Sequence, residues 1–160
     1  MNHLATSKED ILAASRDLIK ENGWAAVSIR AVASRCSVSA GTIYNYYESK
    51  ADLLSDTIES IWHEIFFHPE DEQIFHDVES CISWIYERLE YGNRQFPGFF
   101  SLHSFGFMRD EKTSGKKRMM KTWGHILNGL CEVLENDPKV RADVFDQEFT
   151  EKKFADILFS

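Results

Sequence analysis

The sequence predicts an all-α protein in which a small N-terminal head of three helices leads into a larger helical body. Apolar residues recur at spacings of three and four from end to end, no apolar–polar alternation persists long enough for a strand, and Ser, Asp, Gly and Pro punctuate the chain at helix-length intervals. At 160 residues, 43% of them hydrophobic and 28% charged, the chain is long enough to bury a core of its own.

The first helix opens at Ser7, with Asp10 three residues on as a capping-box variant, and runs to Glu21 behind the stripe Ile11, Leu12, Ala14, Leu18 and Ile19. Asn22-Gly23 stops it, because glycine enters the positive-φ conformations that helix ends often need. Ser28 caps a second, short helix to about Arg35 that buries Ile29, Val32 and Ala33. After the turn Cys36-Ser37-Val38, Ser39 caps a third helix to about Tyr46. Two short helices a few residues apart, braced by a longer one, form a helix-turn-helix layout.

Ser49 caps again with Asp52 three residues on, and a fourth helix is expected to about Phe67, ended by His68-Pro69. Leu54, Ile58, Ile61 and Ile65 make its ridge, widened by Leu53, Trp62 and Phe66. A fifth helix is marked by Ile74, Val78, Cys81, Ile82, Ile85 and Leu89 and closes near Gly92; an aromatic sixth segment spans Pro97 to about Met108. Met119, Trp123, Ile126, Leu127, Leu130 and Leu134 mark a seventh helix, broken at Asn136-Asp137-Pro138. A last helix begins before Phe154, Ile157 and Leu158, and the chain stops at Ser160 with neither cap nor polar tail, which reads as a C-terminal truncation. The expected division is a head over residues 1–48 and a body over 49–160.

Composition excludes several classes. No run approaches the roughly 18 apolar residues of a membrane span and the N-terminus lacks a signal peptide's apolar stretch, so a cytoplasmic protein is expected. Cys36, Cys81 and Cys131 are odd in number and form no CxxC pair, which points to buried free thiols. His63 and His68 are off a common helical face and no catalytic motif occurs, so neither metal, cofactor nor enzymatic activity is expected. The net charge of −8 is unevenly spread. Residues 1–50 hold Lys8, Arg16, Lys20, Arg30, Arg35 and Lys50 against Glu9, Asp10, Asp17, Glu21 and Glu48, a balance of +1 that leaves −9 on the rest. A near-neutral head can meet nucleic acid provided the acidic body is held away from the phosphates.

The stretch SAGTIYNYYESK, residues 39–50, carries the functional signal. The second helix of a helix-turn-helix enters the major groove of DNA. Ala40 and Gly41 allow close approach, Thr42 offers a hydroxyl and a methyl, Asn45 can bond a base edge or phosphate, and Tyr44 and Tyr46 can reach phosphates with their hydroxyls. Ser28 and Ser39 leave backbone amides at helix N-termini and Lys50 adds a cation. The plainer alternative is that these tyrosines are core; Ile43 and Tyr47, four apart, fit that role, while Tyr44 and Tyr46 cannot both share their face.

The runs ILAASRDLIKENGW and VSIRAVASRCSVSAGTIYNYYESKADLL closely resemble, without gaps over residues 7–54, the N-terminal domain of the TetR family of transcriptional regulators. The resemblance implies a homodimeric repressor that leaves a palindromic DNA operator when a small molecule binds its body. It implies a phosphate contact at Ser28, a base-reaching Arg30, DNA contacts at Thr42, Tyr44, Tyr46 and Lys50, and at Asn45 a position that often touches DNA. Tyr47 falls where the family has a packing residue, often Phe. The family ends in two long helices that pair across a dimer axis; here the first begins near Thr150 and the second is missing, so dimerisation by that route is an expectation for a longer chain.

The body is rich in rings between residues 62 and 123, as an aromatic-lined ligand cavity would be, although ordinary packing explains any one of them. A pocket for an apolar or aromatic molecule is expected between the fifth helix, the aromatic segment and the seventh helix, with Trp84, Phe99, His103, Phe107 and Trp123 as walls. The competing reading is a helical small-molecule or protein-binding module whose head does not read DNA; the acidic balance of the body favours it.

Overall fold

A computed structural model of the chain describes residues 6–67, 76–100 and 114–159, and every regular element among them is helical. The helices are α1 (Lys8–Asn22), α2 (Ile29–Arg35), α3 (Ala40–Tyr44), α4 (Lys50–Phe66), α5 (Val78–Gln95), α6 (Ser114–Asn136) and α7 (Glu151–Leu158), with a 3₁₀ turn at Trp24–Ala26. None is long and apolar enough, among the described residues, to cross a membrane.

Local chemistry sets most helix starts. Ser7 Oγ accepts the Asp10 N–H at 3.1 Å while the Asp10 carboxylate accepts the Ser7 N–H at 2.8 Å, so two donors without intrahelical partners are satisfied reciprocally. Ser28, Ser39, Ser49 and Thr150 cap α2, α3, α4 and α7 one way only, each side-chain oxygen accepting the N–H three residues on. α1 ends on Gly23 at φ 79 and ψ 177, a region that glycine alone enters readily. α2 ends differently. The Val38 N–H donates to the Ala33 carbonyl at 2.9 Å and the Ser37 N–H to that of Ser34 at 3.1 Å, around a left-handed Ser37 at φ 57.

Several boundaries differ from the sequence reading. α3 closes at Tyr44, two residues early, because the Tyr46 and Tyr47 N–H groups both turn back to the Ile43 carbonyl at 3.0 Å. On α4 the fully buried leucine is Leu53, and Leu54 is only half-buried. Gly92 does not close α5; it is a buried interior position at which a Cβ would lie 2.6 Å from Ile65 Cδ1. Asp77 caps α5, its carboxylate accepting the Ser80 N–H at 2.9 Å. Ile74 and the His68-Pro69 stop lie outside the described residues. Only Cys81 of the three free thiols is buried, Cys36 and Cys131 being half-buried.

One core runs through the molecule, from Ile11, Val32 and Ile43 through Ile61 and Ile65 to Ile85 and Leu130. α4 is its axis, packing on α1 at one side and on α5 and α6 at another, with α7 laid against α6. Eight of its residues are therefore buried, more than one amphipathic stripe supplies.

Asp137 fastens the end of α6 to the start of α5, its carboxylate accepting the Val78 and Lys139 N–H groups at 2.9 Å each. Those bonds hold its pKa below the ordinary carboxylate value, and the bonds from Ser80 do the same for Asp77. A depressed folded-state pKa gives stability that is complete above the unfolded pKa, about 3.9, and is lost as pH falls through the folded one. Thermal stability is expected to be flat from neutral pH to about 4.5 and to decline below about 4. Asp137→Asn is expected to show a shallower decline in a series of thermal melts.

Candidate nucleic-acid interface

The candidate contacts are presented by α2, α3 and the first residue of α4. Arg30, Ser39, Gly41, Tyr44, Asn45, Tyr46 and Lys50 are exposed, and Ser28 and Thr42 are half-buried. Ser28 Oγ accepts the Ala31 N–H at 3.1 Å as a cap, which leaves its own proton available to an outside acceptor. Ser39 Oγ accepts the Thr42 N–H at 3.2 Å and shares a hydrogen bond with Thr42 Oγ1 at 3.0 Å.

The charges divide by position. Lys8 pairs with Asp56 at 2.6 Å, Arg16 with Glu9 and Glu64 at 2.9 and 3.1 Å, and Lys20 with Glu64 at 2.6 Å. Arg35 grips the Glu21 carboxylate with both guanidinium nitrogens. Arg30 and Lys50 remain, exposed and in no ion pair among the described residues. Of the six cations in residues 1–50, then, the two left for an outside anion sit at the start of α2 and the start of α4.

The three tyrosines have three environments. Tyr44 is 55% exposed and its hydroxyl bonds no described residue. Tyr46, 43% exposed, lies in the turn after α3 and donates its hydroxyl proton to the Thr6 carbonyl at 2.5 Å. A phosphate oxygen only accepts, so in this conformation Tyr46 has no proton to offer one. Tyr47 is buried beneath Lys8, whose ammonium is 5.6 Å from the ring centroid. Its hydroxyl has no hydrogen-bond partner among the described residues, and burial, reinforced by the charges of Asp56 and Glu9, pushes the phenol well above its usual pKa. A buried hydroxyl without a partner costs about 1–3 kcal/mol. Tyr47→Phe is therefore expected to stabilise the protein by about 1 kcal/mol, a Tm gain of about 3 °C. A lower Tm would mean that the hydroxyl is bonded.

In the body, Trp84, Phe99 and Trp123 meet around Trp62 and Phe66. Trp62 lies 5.6 Å from Phe99 and 5.8 Å from Trp123 between ring centroids, and Phe66 lies 6.2 Å from Trp84 and 6.0 Å from Trp123. Rings at these separations touch, so a ligand enters only if they part. His103 and Phe107 lie outside the described residues. A polar cleft of about 530 Å³ runs between α1 and α4 instead, bounded by Arg16, Asp56, His63 and Glu64 among others. Trp24 and Glu64, absent from the sequence reading, join the head to the body; both act through tertiary contacts that no local pattern announces.

Residues 11–57 match the family model described as bacterial regulatory proteins, tetR family. Over 48 residues the chain is 38% identical to the HTH-type transcriptional regulator UidR of Escherichia coli (strain K12), a match to 30% of this chain and 24% of that protein. Over 47 residues it is 45% identical to the HTH-type transcriptional repressor KstR of Rhodococcus jostii (strain RHA1), covering 29% of this chain and 22% of that one. The match thus spans about a quarter of the curated relatives' length. The fold as a whole is similar to the crystal structure of the transcriptional regulator FadR from Bacillus subtilis in complex with stearoyl-CoA, with a TM-score of 0.52 and 16% identity over 96% of this chain and 81% of that one.

Proposed function

We propose that this chain, whose residues 11–57 match the tetR-family model, is a DNA-binding transcriptional repressor whose operator affinity is lowered by a small apolar or aromatic molecule. The observation that carries this reading is the division of charge in the head. Four cations are consumed by internal ion pairs, while Arg30 at the start of α2, Tyr44 at the end of α3 and Lys50 at the start of α4 stay exposed.

In this reading α3 enters the major groove, with Gly41 allowing close approach and Thr42 and Asn45 at base edges. Arg30 reaches a base from α2, while Ser28, Ser39, Tyr44 and Lys50 hold phosphates. Tyr46 contributes by fixing Thr6 beside the turn. Two copies present two recognition helices about 34 Å apart to a palindromic operator. The effector occupies the aromatic cluster of Trp84, Phe99 and Trp123. It weakens DNA binding only to the extent that it binds the parted form of the cluster more tightly. The likeness in fold to a regulator solved with stearoyl-CoA makes a long acyl thioester the first probe to try.

The test is selection of duplexes from a random pool, followed by titration of the winner and a scrambled copy. At least a hundredfold preference for the selected duplex is expected, with affinity falling steeply as salt rises, because bound cations release counterions from the phosphates. Equal affinity for both duplexes would leave a helical binding module without sequence-specific reading. Tyr44→Phe is expected to weaken operator binding about tenfold, the loss of one hydrogen bond to a charged group, with Tm unchanged. Unchanged affinity would remove Tyr44 from the phosphate contacts.

A further inference from the structure

We infer that Trp24 and Glu64 form a two-point latch that sets the orientation of the recognition helices on the body by a route separate from the α3–α4 junction. The regulatory meaning of the latch rests on the DNA-binding reading above; its mechanical part rests on the contacts alone.

The chain joins head to body only once, where residues 45–49 lead into α4. Beyond that link and the packing of α1 on α4, Trp24 makes a further connection, to the far end of α5. It lies in the 3₁₀ turn between α1 and α2, four residues before the Ser28 cap. Its ring is stacked on Phe99 with centroids 5.9 Å apart and planes 11° from parallel, and its indole N–H donates to the Pro97 carbonyl at 3.2 Å. Phe99 is 1% exposed and reaches the centre of the aromatic cluster through Trp62 at 5.6 Å and Phe100 at 5.3 Å. A single ring therefore separates the segment that feeds α2 from the rings of the body. Gly98, at φ 80, makes the turn that brings the Pro97 carbonyl and the Phe99 ring to the same indole.

Glu64 supplies the other point. Its carboxylate accepts Arg16 Nε at 3.1 Å and Lys20 Nζ at 2.6 Å from α1, and the Tyr91 hydroxyl at 3.2 Å from α5. The Lys20 ammonium also lies 5.0 Å from the centroid of Phe96, the residue that ends α5. One half-buried carboxylate thus gathers charge-assisted bonds from α1 and a third donor from α5, and holds their spacing. A rearrangement of the cluster moves Phe99 and the end of α5, and through Trp24 and Glu64 it moves α1 and the start of α2 directly. Plain packing predicts that losing either point lowers stability. A latch predicts in addition that the folded head takes a wider range of orientations.

The test places spin labels, introduced through non-native side chains, at exposed Ser34 on α2 and Glu135 on α6 of the full chain, and records distance distributions by pulsed electron resonance. The parent and Trp24→Phe, which keeps the stack, are expected to give one narrow distribution. Trp24→Leu is expected to at least double its width with helix content unchanged, and Glu64→Gln, which keeps shape and loses charge, to widen it less. Equal widths in all four proteins overturn the latch. If Trp24→Leu does not fold, Glu64→Gln decides alone, and an unchanged width there overturns it. On a duplex selected by the parent, Trp24→Leu is expected to tolerate altered half-site spacing that the parent rejects. Failure to select any duplex sinks the DNA reading and leaves the width comparison to judge the latch.

Discussion

Ile43→Ala is expected to destabilise the protein by about 3 kcal/mol, a fall in Tm of roughly 6–12 °C, and with it to lose DNA binding near the new melting range. Ile43 is fully buried and sits in the five-residue α3, where it is the only buried side chain. A helix this short has almost no stability of its own, since nucleation fixes several residues for very few hydrogen bonds. Burial of Ile43 in the core shared with Val32 and Tyr47 therefore holds α3, and removing most of that side chain leaves a cavity that the tight turns on either side cannot close. With total stability of about 5–15 kcal/mol for a domain of this kind, the loss is a large share of the whole. Thermal melts of Ile43→Ala and Tyr44→Phe side by side make the comparison. The first should lose stability, the second only affinity, and a Tm within 2 °C of the parent for Ile43→Ala would place Ile43 outside the core.

What could be read from the sequence follows the range of the forces involved. Ser7, Ser28, Ser39 and Ser49 act on amides three residues away, so their caps and the helix starts were legible, whereas the caps Asp77 and Thr150 were not singled out. The stripe Ile29, Val32 and Ala33 was legible for the same reason, since the helical period is local. Tyr46 shows the limit. Its hydroxyl meets a carbonyl forty residues earlier in the chain, and nothing near Tyr46 distinguishes it from Tyr44. Leu53 and Leu54 were ambiguous because α4 is covered on more than one side, so no single stripe selects between them. Among the candidate wall residues, ring content was legible, but whether Trp84, Phe99 and Trp123 enclose space or fill it depends on how three segments pack, and they pack ring against ring. Charge followed the same division: the count of six cations could be taken from the sequence, whereas which of them remain for an outside anion depended on the folded positions of Asp56, Glu64 and Glu21.

Gly92→Val is expected to cost about 3 kcal/mol by forcing α4 and α5 apart. Glycine inside a helix gives up about 1 kcal/mol relative to alanine, and here the reason for accepting that cost is visible. A Cβ would lie 2.6 Å from Ile65 Cδ1 and 3.0 Å from Phe100 Cζ, well inside contact distance. Ile65 is fully buried, and the Phe100 ring is held against Trp62 at 6.0 Å and Phe99 at 5.3 Å, so neither can step aside without moving the aromatic cluster. The Arg88 Nε–H that donates to the Ile65 carbonyl at 2.5 Å would also be strained as α4 and α5 are forced apart. Valine adds three carbons at this crossing, whereas alanine adds one and recovers helix propensity. Gly92→Ala adds the very Cβ that meets Ile65 and gains only helix propensity in return, so it is expected to melt below the parent but above Gly92→Val, which is expected to melt roughly 6–12 °C lower than the parent. Equal melting of Gly92→Val and the parent would show that α4 and α5 do not approach through this glycine. A larger loss in Gly92→Val than in Gly92→Ala locates the tight spacing where α5 meets Ile65 and Phe100 at this glycine.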